Sequence, residues 1–454
     1  MKHHEVDMLS GSIVKGLLAM TIPIMVMNLS QSLFSVIDMT VLGKLVNDDA
    51  VGAVGACGML ITLINSLMIG ISAGSNVAVA RHLSRRHQET VHRAVGTSVL
   101  FSLVGGGAIM TLGICCSRVF LTWVNCPDSL MDQAVLYFRL YFCGVPVLML
   151  YNFCVSILRA TGDTQRPMIY LMIGGISKIV LNISFITLFH TTVDGVAIAT
   201  ILSNLISGGL AFVTLWKYEK LAPFRFRYLR FYGPELKEIL YIGIPTGLQN
   251  AMYSLANVVI SATVNSFGAA ATKGISIANQ FDGLLYQICN APSLAVISYV
   301  AQNIGVHNIK RAGQSVLRAM LITVAFGATF GALSALFSAQ LSSLMSPDPE
   351  VIRFSQQKMI IISSTYFICG INEVLCAALR GMGRPLVPTF TALAFTCILR
   401  FVWVYLVFPL IPNMTFLYLV WPIGWTLSIV TMLFCYIPSM AKLRAKYPEA
   451  KSLT

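Results

Sequence analysis

Twelve long apolar runs decide what this chain can fold into. They lie near residues 13–45, 52–80, 94–117, 133–157, 168–190 and 195–216, then 238–266, 275–302, 315–338, 355–378, 386–409 and 416–440. Each holds the roughly 20 residues that a helix needs to cross the hydrocarbon of a bilayer. No soluble core of ordinary size buries so many. Composition agrees, since 56% of the 454 residues are hydrophobic and only 11% are charged, with a mean hydropathy of +0.76. Soluble domains carry about 25% charged residues. In lipid every backbone amide must find its partner within the segment, so the expected fold is an all-α membrane protein of 12 transmembrane helices.

The basic residues set the expected orientation. With the N-terminus in the cytoplasm, 23 of the 31 Lys and Arg fall on the inner side, among them Lys2, Arg81, Arg159, Lys220, Arg311, Arg384 and Lys451. Lys44, Arg118, Arg139, Lys273, Arg353 and Lys358 fall outside, and Lys178 and Arg400 fall within spans. That bias predicts both termini in the cytoplasm and a plasma-membrane, multi-pass protein. It also accounts for the net charge of +13 through contact with anionic membrane lipid, without any nucleic acid. The polar start Met1–Leu9 carries Glu5 and Asp7 and lacks the features of a signal peptide, so the first helix is expected to stay in the mature protein. The 11 cysteines show no CxxC pair and no ligand spacing, so they read as small packing residues; neither a metal nor a disulfide framework is expected.

The chain repeats itself at a shift close to 222 residues. Lys15 and Ile22-Pro23 match Lys237 and Ile244-Pro245, and Gly52 matches Gly274. Cys126-Pro127-Asp128 matches Ser346-Pro347-Asp348, and Leu158 to Gly162 matches Leu379 to Gly383. Six helices per half is an even number, so both halves enter from the same side as parallel repeats. The expected division is an N-lobe over 1–216, a basic cytoplasmic linker over 217–237, and a C-lobe with its tail over 238–454.

One carboxylate, Asp38, sits inside the first run. Asn28, Gln31, Ser35 and Asp38 follow at spacings of three, four and three, which keeps them on one helix face. An acid in hydrocarbon costs roughly 2.5–3.5 kcal/mol on insertion scales, so it should face protein or water. The stripe, ending in the acid Asp38, reads as one wall of an aqueous cavity. The structural alternative is a hydrogen-bonded helix seam. Shifted by 222, the stripe becomes Asn250, Tyr253, Asn257 and Ile260, so the second lobe keeps the polar face and loses the acid. Lys178 and Asn182, four apart, are placed to line the N-lobe cavity, where Lys178 either competes with a bound cation or forms a structural ion pair. Asp282 shares a face with Asn279, Tyr286 and Asn290 and is either a second cation or substrate site or the partner of a C-lobe base such as Arg400. Glu373, near an inner end, suggests a gate or a local ion pair.

Pro23 with Asp38 fifteen residues later, the Asp-(x)4-Gly-Lys-Leu run Asp38 to Leu45, the paired Leu-Arg-(Ala/Gly)-x-Gly turns, and Val300-Ala301-Gln302-Asn303-Ile304-Gly305 together resemble the multidrug and toxic compound extrusion (MATE) family. The resemblance spans residues 10–440 and is closest to the DinF-like branch. It implies a V-shaped pair of six-helix bundles that exports organic cations in exchange for H+ or Na+, acting as a monomer and without a cofactor. It also gives Asp38 the place of that branch's first-helix cation-coupling acid, where Na+ would bind if Na+ is the coupling ion. Two positions depart from the pattern: Ile186 stands where the branch often has an Asp four after Asn182, and Tyr253 stands where the NorM-like branch carries a Glu. A lipid-linked oligosaccharide flippase of the wider superfamily shares the two-lobe plan. No Walker loop appears, so ATP is not the expected energy source. The seven His sit almost wholly at inner loops and termini, so an enzyme is not expected.

Overall fold

The computed structural model describes residues 5–46, 48–217, 223–411 and 413–448. Lys2, Lys220, Lys451 and the end of the tail lie outside the described residues. The first half runs α1 (Ile13–Leu45), α2 (Asp48–Ser84), α3 (Gln88–Cys115), a short α4 (Ser117–Trp123), α5 (Asp128–Cys143), α6 (Val145–Ala160), α7 (Gln165–Phe189) and α8 (Val193–Lys217). The second runs α9 (Gly233–Asn265), α10 (Ala269–Gly305), α11 (Ile309–Leu336), a short α12 (Ser338–Ser343), α13 (Pro349–Ser364) and α14 (Tyr366–Gly381). The helices Leu386–Leu410 and Met414–Lys446 complete it.

The repeat expected from sequence is reproduced element by element. The pairs α1/α9, α2/α10 and α3/α11 have 33, 37 and 28 residues in each copy. The fourth span of each half, expected as one straight helix, is two helices of 16 residues bent by 45° in α5–α6 and by 49° in α13–α14. In the first copy the bend falls at Gly144, with Pro146 lacking the amide hydrogen that a continuous helix would use there. Among the described residues nine helices are long and apolar enough to cross a membrane, and the two bent pairs bring the number to eleven. The twelfth expected span is α9, as long as α1 but carrying Glu235, Lys237, Glu238, Gln249 and Asn250.

Contacts group Met1–Val6 with Val26–Gly247, and Asp7–Met25 with Leu248–Thr454. Relative to the division expected between 216 and 238, α1 and α9 each change unit midway, three residues after Pro23 and Pro245.

In the unit of Val26–Gly247, two small-residue motifs explain why the start of α9 belongs there. Gly70 and Gly74 of α2 face Gly243 and Gly247 of α9. A Cβ on Gly70 would lie 2.3 Å from the Gly247 Cα, and one on Gly74 would lie 2.1 Å from the Ile239 carbonyl oxygen. Bare glycines at this spacing let helix backbones touch. Beyond them, Arg81 and His82 donate to Glu238 at 2.9 and 3.2 Å. The described part of the linker is also docked. The Pro223 carbonyl meets His92 at 2.9 Å, and the Thr97 hydroxyl donates to the Arg230 carbonyl at 3.2 Å.

In the other unit, Leu17, Met20 and Ile24 of α1 are buried, and the segment before them is clasped. The Arg311 guanidinium donates to the carbonyls of Met8 (2.9 Å), Gly11 (3.0 Å) and Ser10 (2.5 Å), and Asn303 donates to Met8 at 3.1 Å.

The glycine contact yields a stability test. Gly74→Ala drives a methyl into backbone and is expected to cost about 1–3 kcal/mol, seen as a lower melting midpoint of the detergent-purified protein. Gly209→Ala, with open space around its Cβ, is expected to hold or raise that midpoint, because Ala is the better helix residue by roughly 0.5–1 kcal/mol.

Candidate functional site

The unit of Val26–Gly247 brings three of the sequence-identified residues together. Lys178 of α7 donates to Asp38 Oδ2 of α1, and Asn182, one turn on, donates through Nδ2 to Asp38 Oδ1 at 2.7 Å. The spacing of four places both donors on one face of α7. The two helices approach because Gly175 has no side chain: a Cβ there would lie 1.9 Å from the Phe34 ring. The carboxylate side chain is 12% exposed and that of Lys178 is 21% exposed. Asn182 is buried, and its Oδ1 accepts no hydrogen bond among the described residues. The rest of the first-helix stripe stays apart from the acid. Asn28 is half-buried, Gln31 and Ser35 are exposed, and Ser35 donates to the Gln31 carbonyl at 3.1 Å. The α1 face is therefore open and polar, and it ends at an acid already neutralised by a base.

The other unit distributes its charges differently. Ile260, at the repeat position of Asp38, is buried among Trp403, Met414, Leu417 and Tyr418. Asp282 of α10 does have a base as partner, but the base is Lys358 and not Arg400: Lys358 Nζ lies 2.8 Å from Asp282 Oδ2 and also bonds Asn279. Lys358 is therefore not an outer-loop charge. It sits within α13 at 3% exposure, paired as a buried ammonium must be. The signal that would have found it is Asp282 itself, since an acid in an apolar span requires a cation and Lys358 lies three residues inside the next-but-one run. Arg400 donates instead to Asn257 at 2.7 Å. Gln249 was also missed: it donates to the Tyr253 hydroxyl at 3.0 Å and accepts from Arg380 at 2.8 Å. Asn250 is half-buried. Glu373 is buried on α14, acted on by the Arg380 charge, with no hydrogen bond or ion pair among the described residues. Among those residues no group of three His, Cys, Asp or Glu is placed to hold a metal ion.

The family model described as MatE matches residues 23–184 and again residues 245–406. The chain belongs to the MatE family. The two matches begin 222 residues apart, the same offset as the internal repeat. Among similar proteins, "Probable multidrug resistance protein YoeA" of Bacillus subtilis is 25% identical over 83% of each chain. "FAD transporter" of Shewanella oneidensis is 23% identical over 84% of each chain. A solved "outward-facing conformation of a multidrug resistance MATE family transporter of the MOP superfamily" superposes with a TM-score of 0.89 at 20% identity, covering 97% of this chain and 99% of that one. The protein is thus a MATE-family membrane transporter, and its two clusters of intramembrane charge are the candidate sites.

The C-unit pair can be tested by stability alone. Lys358→Met leaves Asp282 buried without its cation and is expected to cost about 3–5 kcal/mol in thermal unfolding. Adding Asp282→Leu is expected to recover most of that loss, because an apolar pair of similar volume needs no counter-charge.

Proposed function

We propose that this MATE transporter is a secondary active antiporter that exports lipophilic organic cations across the plasma membrane by alternating access, in exchange for H+ or Na+, with Asp38 as the coupling acid. The observation that carries this reading is the sharing of one half-buried carboxylate between Lys178 and Asn182 at the end of an open polar stripe. A proton or Na+ arriving at Asp38 takes the negative charge that now holds Lys178, so the coupling ion and the ammonium compete for one partner. The unsatisfied Oδ1 of Asn182 gives Na+ a second oxygen beside the carboxylate, the hard-donor chemistry such an ion takes. A cationic substrate competes for the same acid. Exchange requires that each conformation prefer a different occupant, and a site that holds either a coupling ion or an internal ammonium supplies that difference. Gln31 and Ser35, exposed on the same face, line the approach. Within the other unit Asn250, Tyr253 and Asn257 are proposed as the polar wall of a cavity of its own. A flippase for lipid-linked oligosaccharide would want several free cations for pyrophosphate, whereas Lys178 is paired with Asp38 and Lys358 with Asp282, so that of these and Arg400 only Arg400 has no acid partner among the described residues.

Asp38→Asn keeps the shape and removes the charge. It is expected to fold and to retain some binding of a fluorescent organic cation, while gradient-driven efflux from proteoliposomes falls at least about tenfold. Wild-type efflux in the Asn variant would reduce Asp38 to a structural hydrogen-bond partner. Running the assay with an imposed proton gradient and then a sodium gradient separates the two ions.

Orientation is tested by labelling. In whole cells a cysteine at exposed Arg227 is expected to resist a membrane-impermeant maleimide, and one at exposed Lys273 to react. The reverse pattern would overturn the assignment of cytoplasmic termini.

A further inference from the structure

The two repeats kept their bases in register and lost one acid. The family matches begin at 23 and 245 and end at 184 and 406, both 222 residues apart. At that offset Lys178 falls on Arg400, and Asp38, the partner of Lys178, falls on Ile260. The left-handed turn glycines Gly162 and Gly383 are 221 apart, as are the helix starts Gln165 and Leu386, so Arg400 lies within one residue of the Lys178 position. Arg400 therefore occupies the place of a base whose carboxylate has been replaced by isoleucine.

The surroundings agree. Arg400 is 6% exposed. It donates to Asn257 at 2.7 Å and lies 5.0 Å from the centre of the Trp421 ring. It makes no other hydrogen bond and no ion pair among the described residues. The groups with the largest electrostatic influence on it are Cys397, Tyr253, Cys369 and Tyr366, all neutral at pH 7. Asp282 is taken by Lys358, whose ammonium stands over the same Trp421 ring at 5.6 Å. A buried cation without a counter-charge is costly, and proteins seldom keep one idle. Two more features mark the place as a site. The helix is π-wound on both sides of Arg400, over Leu393–Ile398 and Trp403–Val407, a geometry concentrated at functional sites. Asn257, its one hydrogen-bond partner, is exposed, so the contact lies at an open face of α9.

We infer that Arg400 heads an anion subsite within the Leu248–Thr454 unit that takes the carboxylate or phosphate group of an amphiphilic organic molecule. The planar guanidinium presents paired donors to either group, and Asn257 and the Trp421 ring fix its plane. The inference rests on the transporter reading above and extends it: the preferred cargo carries a negative group as well as its cationic one. The unit that lacks an acid at position 260 is the one that reads the anion.

The test uses the full-length protein in nanodiscs of phosphatidylcholine and a matched pair of dyes, a rhodamine with a free carboxylate and its methyl ester. Wild type is expected to bind the free carboxylate about tenfold more tightly than the ester, the effect of one charge-assisted contact. Arg400→Gln, which can still donate to Asn257, is expected to abolish that preference while ester binding stays within about twofold. Ile260→Asp, which restores the missing counter-charge, is expected to do the same from the opposite side, and Arg400→Lys to retain part of the preference. If phosphatidylglycerol in the disc competes with the carboxylate dye in wild type but not in Arg400→Gln, the natural anion is a lipid phosphate. If it does not compete, the anion belongs to a soluble cargo. Equal loss of both dyes in Arg400→Gln with an unchanged melting midpoint, or no dye preference together with no lipid competition in wild type, would overturn the inference. Gradient-driven export of the ester by wild type reads the transporter function separately, so the two readings fail independently.

Discussion

A charge held in the interior of a membrane protein must be neutralised where it stands, and the arrangement of both units follows from how that is done. In the Val26–Gly247 unit one acid is shared by a lysine and an asparagine of a single helix, α7, which can come close enough only because Gly175 leaves room for Phe34. In the Leu248–Thr454 unit the carboxylate is carried by α10 and met by α13. The same backbone plan, copied to the residue in the lengths of α1 to α3 and α9 to α11, thus carries two different charge arrangements. Duplication of a fold preserves helix lengths and turns because packing demands them. It does not preserve polar pairs, since either member can be exchanged once its partner changes.

That difference separates what could be read in the sequence from what could not. Helix spacing and repeat offset are one-dimensional quantities, so the stripe ending at Asp38, the Lys178–Asn182 pair and the correspondence of α1 with α9 are legible from the chain alone. Lys358 was placed in an outer loop because a hydropathy window puts the first charges of a span at its end, and only the third dimension shows Asp282 beside it. The bend in the fourth span of each half is likewise tertiary. Pro146 hints at it in one copy, but Thr365 marks the same break in the other without any proline. The passage of α9 from one unit to the other was written in Gly70–Gly74 and Gly243–Gly247, a facing pair of small-residue motifs whose meaning depends on knowing that they meet.

The division of α1 bears on how an ion at Asp38 can have effects beyond its own contacts. The beginning of this helix is fixed by Arg311, which binds the carbonyls of Met8, Ser10 and Gly11 in the preceding segment, and by the burial of Leu17 and Met20. Its later part carries Asp38 in the other compact unit. Between them lies Pro23, where the helix lacks one backbone hydrogen bond and bends at least cost. The second copy repeats the device with Pro245 in α9. In the proposed mechanism, losing the Lys178 contact frees one end of a helix whose other end stays clasped, and the proline is where the resulting strain is taken up. Substrate and coupling ion then need not touch one another to be coupled. It is enough that both alter the balance of one helix held at two places.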